Sequence, residues 1–157
     1  MSTLRDLMRR HHGPGRVDWI GLRPERLAPM TVVPETHADP SGLTGDHFTS
    51  GGKRALTLIQ AEHLPVIAAL SGATVTPEML RRNLVISGIN LTALRHANLR
   101  LGETRIRLSG PCAPCSRMEK TIGPGGYNAM RGHGGWYAEI LEPGTIRLGD
   151  SLTVIET

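Results

Sequence analysis

Glycine and proline divide this chain into short segments. The 157 residues include 19 glycines and 11 prolines, and the hydrophobic runs between them are brief. The stretch from Gly15 to Val33, for example, is rich in β-forming residues but is interrupted by Gly21 and Pro24. Such runs are typical of strands joined by turns. The pattern therefore favours a fold of short strands over one of long helices.

The clearest strand pair is a hairpin centred on Gly102-Glu103. In the flanking runs, 98–101 and 104–108, leucine or isoleucine alternates with arginine. Alternation places the hydrophobic side chains on one face of both strands and the arginines on the other. We expect the hydrophobic face to point into the core and the second strand to lead directly into Cys112.

The remaining elements can be placed by composition and spacing. Hydrophobic and β-branched residues predict strands over 55–59, 84–86, 136–141, 145–148 and 151–155. Helical spacing predicts a helix over 60–70 and a short helix that begins at Thr76-Pro77-Glu78. The segment 35–48 is expected to be a long irregular loop beside a site. Roughly seven or more strands against two or three short helices favour a mainly β fold, a barrel with a few peripheral helices, over a sandwich or an α/β sheet.

The length of the chain fits one domain. We expect a single β-barrel domain over residues 15–157, preceded by a tail or short helix at 1–14. No apolar run reaches the roughly 20 residues of a membrane-spanning helix, and the N-terminus lacks the apolar core of a signal peptide. Two cysteines do not make a disulfide scaffold, so a reducing cytoplasmic location is expected.

The charge of the chain points to an anionic ligand. The formal net charge is +4, which attracts anions in general. Nucleic acid is an unlikely partner because the basic residues are scattered and no aromatic side chains are interleaved with them. A small phosphorylated ligand explains the same charge.

Both cysteines lie close together, at Cys112 and Cys115, and four roles are open for them. A zinc site would lack a fourth ligand even if His133 supplied the third. A thioredoxin-type dithiol should open a helix, whereas this pair is expected among hairpins and glycines. Cysteines can also be buried structural residues. Finally, a single thiolate, favoured by Arg117 and nearby backbone amides, could ligate a soft metal or carry sulfur.

Other polar residues near predicted turns are candidates for a binding site. Arginine suits phosphate because it offers two parallel donors, and the cations in question are Lys53, Arg54, Arg81, Arg82 and Arg117. Asn83 could hydrogen-bond a heterocycle or cap a turn. His47 and His133 are candidate proton donors, although each of them could equally be a surface residue.

Taken in order, these segments resemble the MOSC domain, the C-terminal domain of molybdenum-cofactor sulfurases, which also occurs as stand-alone bacterial proteins. The resemblance extends from about Trp19 to Leu152. It rests on the motifs Gly42-Leu43-x-Gly45-Asp46, Gly51-Gly52-Lys53-Arg54-Ala55, Arg81-Arg82-Asn83-Leu84-Val85-Ile86-Ser87-Gly88, Cys112-x-Pro114-Cys115-x-Arg117-Met118-Glu119, Gly125-Gly126-Tyr127 and Pro143-Gly144-Thr145-Ile146-Arg147-Leu148-Gly149-Asp150.

The resemblance implies a β-barrel and one working cysteine, Cys115. In family members that reduce N-hydroxylated compounds, the corresponding cysteine ligates the molybdenum of a phosphate-bearing pterin cofactor. Arg81 and Asn83 fall where that group contacts the cofactor. Lys53, Arg54 and Arg117 are added to this expected site by their charge and by the adjacent glycines or cysteine.

The departures from the family pattern limit what the chain is expected to do alone. It lacks the second β-barrel of the amidoxime reducers and the iron–sulfur cysteines of an electron-transfer domain, so an external electron-transfer protein is expected. It also lacks the pyridoxal-phosphate domain of the sulfurases, so we expect no bound pyridoxal phosphate and no desulfurase activity. A homodimer could complete the site. The alternative role in the family is sulfur transfer for metal–sulfur cofactor biosynthesis through a persulfide on Cys115, with Cys112 as a relay thiol.

Overall fold

A computed structural model describes residues 1–155, so the last two residues of the predicted domain, 156–157, lie outside the described part. The strands are β1 Gly15–Leu22, β2 Thr31–Val32, β3 Glu35–Asp39, β4 Gly42–Leu43, β5 Leu56–Gln60, β6 Leu84–Ser87, β7 Leu99–Leu101, β8 Thr104–Pro111, β9 Trp136–Glu142, β10 Gly144–Arg147 and β11 Ser151–Val154. The α-helices are α1 Leu4–Met8, α2 His63–Ser71, α3 Pro77–Leu80, α4 Ser116–Ile122 and α5 Gly126–Met130. Two 3-10 turns, Gly52–Arg54 and Leu91–Leu94, complete the list.

Seven strands close into a barrel. Their order is β11-β7-β8-β9-β5-β6-β1, and β1 also pairs with β11 to close the ring. The mainly β barrel predicted from the sequence is therefore confirmed. Its lining follows the predicted alternation, because the hydrophobic residues of the β7–β8 hairpin are buried while the arginines between them are only partly covered.

The parallel pair within the barrel, β5 and β6, is joined by two helices. A parallel connection needs such a crossover because the chain must return to the same end of the sheet. The predicted helix begins at His63 rather than residue 60, which places Pro65 in the first turn where its missing N–H is tolerated. Gly72 ends that helix in the left-handed conformation with φ 70°, which glycine adopts without a steric penalty.

A second, smaller sheet lies outside the barrel, in the order β10-β3-β4. It contradicts the prediction that residues 35–48 form only irregular structure. The alternation in β3 is carried by small side chains, Thr36 and Ala38, which are buried while their neighbours are exposed. Such a weak hydrophobic pattern becomes a strand here because β10 supplies the pairing partner.

Two hydrophobic clusters support the fold. The larger one fills the barrel, and the smaller one joins the outer face of β5 and β6 to the helices. Met118 and Ile122, four residues apart in α4, contribute to the smaller cluster together with Met130 of α5. The segment after the cysteines therefore contains two short helices, and the expectation that the pair lies among hairpins and glycines was incomplete.

None of the helices within residues 1–155 is long and apolar enough to span a membrane. The first helix, α1, has a capping box between Thr3 and Asp6, and none of its residues is buried.

Candidate functional site

The two cysteines have different environments. Cys115 is exposed and occupies the N-cap position of α4, while Cys112 is buried at the end of β8. Burial raises the pKa of the Cys112 thiol, although the positive charges of Arg82, Arg23 and Arg54 partly oppose this. Cys112 is thus held as a neutral thiol, and Cys115 is the cysteine that a ligand can reach.

This geometry bears on the roles considered for the pair. Contrary to the expectation from the sequence, Cys115 does begin a helix, but that helix has seven residues and Cys112 lies before it rather than within it. The exposed thiol is the second of the pair, and the first is covered. Among residues 1–155, no three His, Cys, Asp or Glu side chains are grouped to hold a metal ion, so the described part of the chain contains no zinc site of the usual kind.

Arg81 forms the centre of a cationic cluster. It lies at the end of α3 with a positive φ of 56°, and its guanidinium donates to the carbonyl oxygens of Ala28 and Glu25. Burial lowers the pKa of this guanidinium, and the charges of Arg23 and Arg117 lower it further. Three arginines from three separate parts of the chain therefore lie within electrostatic reach of one another.

One carboxylate, that of Asp46, partly neutralises this cluster. Arg23 donates to it from Nε at 3.1 Å and from Nη2 at 3.0 Å, and the side chains are 17% and 2% exposed. Burial alone would raise the pKa of Asp46, but the hydrogen bonds and the charge of Arg23 outweigh burial and hold the pKa below its ordinary value. Arg23 was not identified from the sequence, because it contacts a residue 23 positions away.

Asn83 lies behind this ion pair and is completely buried. Its amide oxygen accepts from the backbone N–H and the hydroxyl of Thr57, each at 3.1 Å. Its amide nitrogen donates to the Gly21 carbonyl at 3.1 Å and to Asp46 at 3.2 Å. All four hydrogen-bonding positions of the amide are thus used within the protein, and Asn83 positions Asp46 rather than facing the surface.

The predicted cations Lys53 and Arg54 lie in the first 3-10 turn, beside β8 and β9. The Lys53 carbonyl oxygen accepts from the Ser109 hydroxyl, which fixes the turn to the strand that leads to the cysteines. The Arg54 guanidinium lies over the ring of Tyr137, 4.9 Å from its centroid. Both side chains are exposed at this edge of the barrel, and the Arg54 charge reaches Cys112.

Arg82 is fixed by backbone carbonyls. Its Nε donates to Gly134 at 2.7 Å and its Nη1 to Leu80 at 2.9 Å. The Cys112 N–H donates to the Gly135 carbonyl at 2.9 Å. A side chain at Gly134 would place its Cβ 2.8 Å from the Cys112 carbonyl oxygen, so glycine is required for this close approach.

The two histidines proposed as proton donors lie in different places. His47 is exposed, and its Nδ1 is 2.9 Å from the Arg23 carbonyl oxygen. His133 packs against His63, with ring centroids 5.2 Å apart. The structure therefore places His47 beside the arginine cluster and His133 on the Cys112 side.

Together these contacts describe an exposed thiol and a group of arginines with excess positive charge. The charges of Arg82, Arg23 and Arg54 act on Cys112, those of Arg23 and Arg117 act on Arg81, and Arg117 follows Cys115 by two residues. Cations held by backbone carbonyls and by one buried carboxylate are well suited to bind an anion with two or more charges.

Comparison with known proteins assigns this arrangement to a family. The sequence profile of the MOSC domain matches residues 28–153. The chain belongs to the MOSC family. This family is associated with molybdenum-cofactor binding and with sulfur-related functions, and the resemblance seen in the sequence is confirmed.

Solved structures share the MOSC fold seen here. YuaD of Bacillus subtilis is 16% identical with a TM-score of 0.78, covering 91% of this chain and 96% of that one. YiiM of Geobacillus stearothermophilus is 18% identical with a TM-score of 0.74, covering 91% of this chain and 76% of that one. YiiM of Escherichia coli is 22% identical with a TM-score of 0.69, covering 90% and 70%. A comparison with curated proteins gives no significant match.

Proposed function

We propose that this MOSC protein is a molybdenum-cofactor-dependent reductase of N-hydroxylated compounds, with Cys115 as the thiolate ligand of the metal. The observation that carries the proposal is the exposure of Cys115 at the start of α4, two residues before Arg117, which belongs to an arginine cluster whose Arg23 is paired with the buried Asp46. The soft sulfur would hold the metal, and the cations would hold an anionic group of the cofactor.

The donor set matches the chemistry of such a group. Molybdenum in a soft-ligand environment accepts a thiolate, and Cys115 is the accessible thiol of the pair. A terminal phosphate carries close to two negative charges at neutral pH. Arg23, Arg81 and Arg117 supply three positive charges against the one carboxylate of Asp46. The charge left uncompensated therefore matches a phosphate monoester, and the residues fit the cofactor.

Each residue has a proposed part in binding. Arg81, at the end of α3, and Arg117, at the start of α4, would donate hydrogen bonds to the phosphate. Lys53 and Arg54, in the neighbouring 3-10 turn, would form one edge of the site. Asn83, proposed from the family pattern as a cofactor contact, would act by fixing Asp46 and through it Arg23. The cofactor itself would supply two-electron reduction of the N–O bond.

Reduction of an N–O bond needs an electron source. The reaction consumes two electrons and two protons and releases water from a hydroxylamine-type group, so the electrons must come from a separate electron-transfer protein. We propose a cytoplasmic setting, a small-molecule substrate, and no role for nucleic acid or membrane. A homodimer remains part of the proposal as a way to cover the exposed side of the site.

Turnover by the cofactor-loaded protein tests this function. Protein from a host that makes the cofactor should reduce an N-hydroxylated amidine to the amidine when a flavin-dependent reductase and its reduced nicotinamide donor are added. The Cys115→Ser variant should lose activity by at least about a hundredfold, because it lacks the metal's thiolate ligand, while Cys112→Ser should retain most of it. Equal activity of Cys115→Ser and the parent protein would reject the proposal.

The exposure of Cys115 also supports a second candidate, sulfur transfer. An exposed thiol can carry a persulfide and present it to a partner in cofactor biosynthesis. This candidate predicts a protein free of molybdenum and an additional mass of one sulfur atom at Cys115 that dithiothreitol removes. A molybdenum-containing protein without that mass contradicts it.

A further inference from the structure

His63 and His133 form an edge-to-face pair on the Cys112 side of the barrel. Their ring centroids are 5.2 Å apart and the ring planes are inclined at 77°. His63 is the first residue of α2, and His133 lies between α5 and β9. The pair therefore links the start of α2 to the segment between α5 and β9, which lies far from it in the sequence.

The segment 132–135, called here the glycine segment, is also the support of Cys112. The Gly135 carbonyl oxygen accepts a hydrogen bond from the Cys112 N–H at 2.9 Å, and the Gly134 carbonyl oxygen accepts one from the Arg82 guanidinium at 2.7 Å. A cavity of about 60 Å³ lies between this segment, Cys112 and His63. A displacement of the glycine segment would therefore uncover Cys112 directly.

The cavity is adjacent to a much larger opening. A groove of about 770 Å³ lies beside it, and Gln60 and His63 line both spaces. His63 thus forms part of the wall between the groove and the cavity next to Cys112. Movement of the pair would join the two spaces.

The surroundings of His63 favour its uncharged form. Burial lowers the pKa of His63, and the charge on His133 acts in the same direction, while Glu62 opposes them. Both Glu62 oxygens are engaged, one by Gln60 and the other by the Gly88 N–H. The Nδ1 atom of His133 is buried without a hydrogen-bond partner among the described residues. The titratable and charged groups that face the pair are Glu62 beside α2, Arg10, His11 and His12 across the groove, and Cys112 and Arg82 at the glycine segment.

These groups make a second proton costly. At a centroid distance of 5.2 Å, two imidazolium rings repel each other. Arg10 places a fixed positive charge across the groove, and Glu62 is the acidic residue that lines the groove among residues 1–155. Separation of the rings relieves this repulsion.

We propose that the His63–His133 pair is a proton-controlled latch on Cys112. Protonation of both rings separates the glycine segment from α2, breaks the Cys112–Gly135 hydrogen bond and opens the buried thiol to the groove. In the neutral state the latch is closed, and Cys115 is the one accessible thiol of the pair. This device goes beyond the proposed reductase, because it depends on neither the cofactor nor turnover.

The test uses a protein in which Cys112 is the single thiol. In the Cys115→Ser chain, the rate of Cys112 labelling by 4,4′-dithiodipyridine, which reacts with thiols in weak acid, is measured from about pH 7.5 to about pH 5. Rates are divided by those of glutathione under the same conditions. We expect the normalised rate to rise at least about tenfold toward low pH. In Cys115→Ser chains that also carry His133→Gln or His63→Gln, the rise should be absent.

A matched control separates the latch from general loosening. His12 lines the same groove but does not belong to the pair, so His12→Gln in the Cys115→Ser chain should keep the full rise. The proposal is overturned if the normalised rate is flat in the parent, or if His133→Gln and His63→Gln show the same rise as the parent. Global unfolding in acid would produce that second result, since it would expose Cys112 in every variant.

Discussion

The guanidinium of Arg23 donates two parallel hydrogen bonds to the carboxylate of Asp46, at 3.1 Å and 3.0 Å. The same carboxylate also accepts from the backbone N–H groups of Arg23 and Phe48 and from Asn83. This network ties β1 to the loop after β4 and to β6. It holds a positive side chain at the site, where the anionic ligand is proposed to bind.

Removal of the Asp46 charge should cost substantial stability. In Asp46→Asn the half-buried Arg23 guanidinium loses its counter-ion, and breaking a buried pair from one side costs roughly 3–5 kcal/mol. Urea unfolding should show a loss of about 3 kcal/mol. Asp18 forms an exposed pair with Arg16 at 3.8 Å, so Asp18→Asn should cost less than about 1 kcal/mol. Similar losses in the two variants would contradict this account of Asp46.

The same carboxylate predicts an acid-sensitive stability. The pKa of Asp46 lies below its ordinary value of 3.8 in the folded protein, so the unfolded chain binds the proton first. The stabilisation is complete well above the ordinary value and is lost as the pH falls through the folded pKa. The unfolding free energy of the wild type should therefore fall more steeply below about pH 4 than that of Asp46→Asn. Parallel pH profiles would show that Asp46 contributes nothing to this slope.

Asn83 should behave as a structural residue. Asn83→Ala removes one of the hydrogen bonds to Asp46 and leaves the Thr57 N–H and the Gly21 carbonyl without their side-chain partner, and each buried group left unpaired costs about 1–3 kcal/mol. We expect a loss of about 3 kcal/mol or more in urea unfolding. Asn128 is exposed on α5, so Asn128→Ala should change stability by less than about 0.5 kcal/mol. A loss below about 1 kcal/mol in Asn83→Ala would contradict the network described above.

Two glycines with similar backbone angles should tolerate alanine differently. Gly132 and Gly135 have φ values of 83° and 90°. A Cβ at Gly135 would overlap the Leu58 carbonyl oxygen, whereas a Cβ at Gly132 meets nothing within 4 Å. Gly132→Ala should cost about 1 kcal/mol from backbone strain alone, and Gly135→Ala about 3 kcal/mol or more because β5 must move. Thermal unfolding of the two variants side by side tests this, and equal costs would refute the packing argument.

The sequence predicted those parts of the fold in which a residue's own neighbours carry the signal. The alternation in 98–108 predicted the β7–β8 hairpin, and Thr76-Pro77-Glu78 marked the start of a short helix. Helix α4 was missed because Gly123 and Pro124 follow it closely, although Met118 and Ile122 have the spacing of a buried helical face. Strand β3 was missed because its buried residues are small.

The site was predicted less completely because its contacts are distant in sequence. Cys115 and Arg81 could be assigned from motifs, and their placement in the site remains a prediction. Arg23 has no local pattern that distinguishes it from other surface arginines, and its role depends on Asp46, 23 residues away. Cys112 is buried and Cys115 is exposed, and the four-residue sequence that contains both does not reveal which thiol is covered.

The most direct measurement is the molybdenum content per chain of protein purified from a cofactor-competent host. We expect close to one molybdenum atom per chain in the parent and in Cys112→Ser, and less than about a tenth of that in Cys115→Ser, because the metal would lose its soft thiolate ligand. Arg81→Gln should lie between these limits, since it removes one cation from the site. Full molybdenum content in Cys115→Ser, or none in the parent, would contradict the central claim that this exposed thiol binds the cofactor.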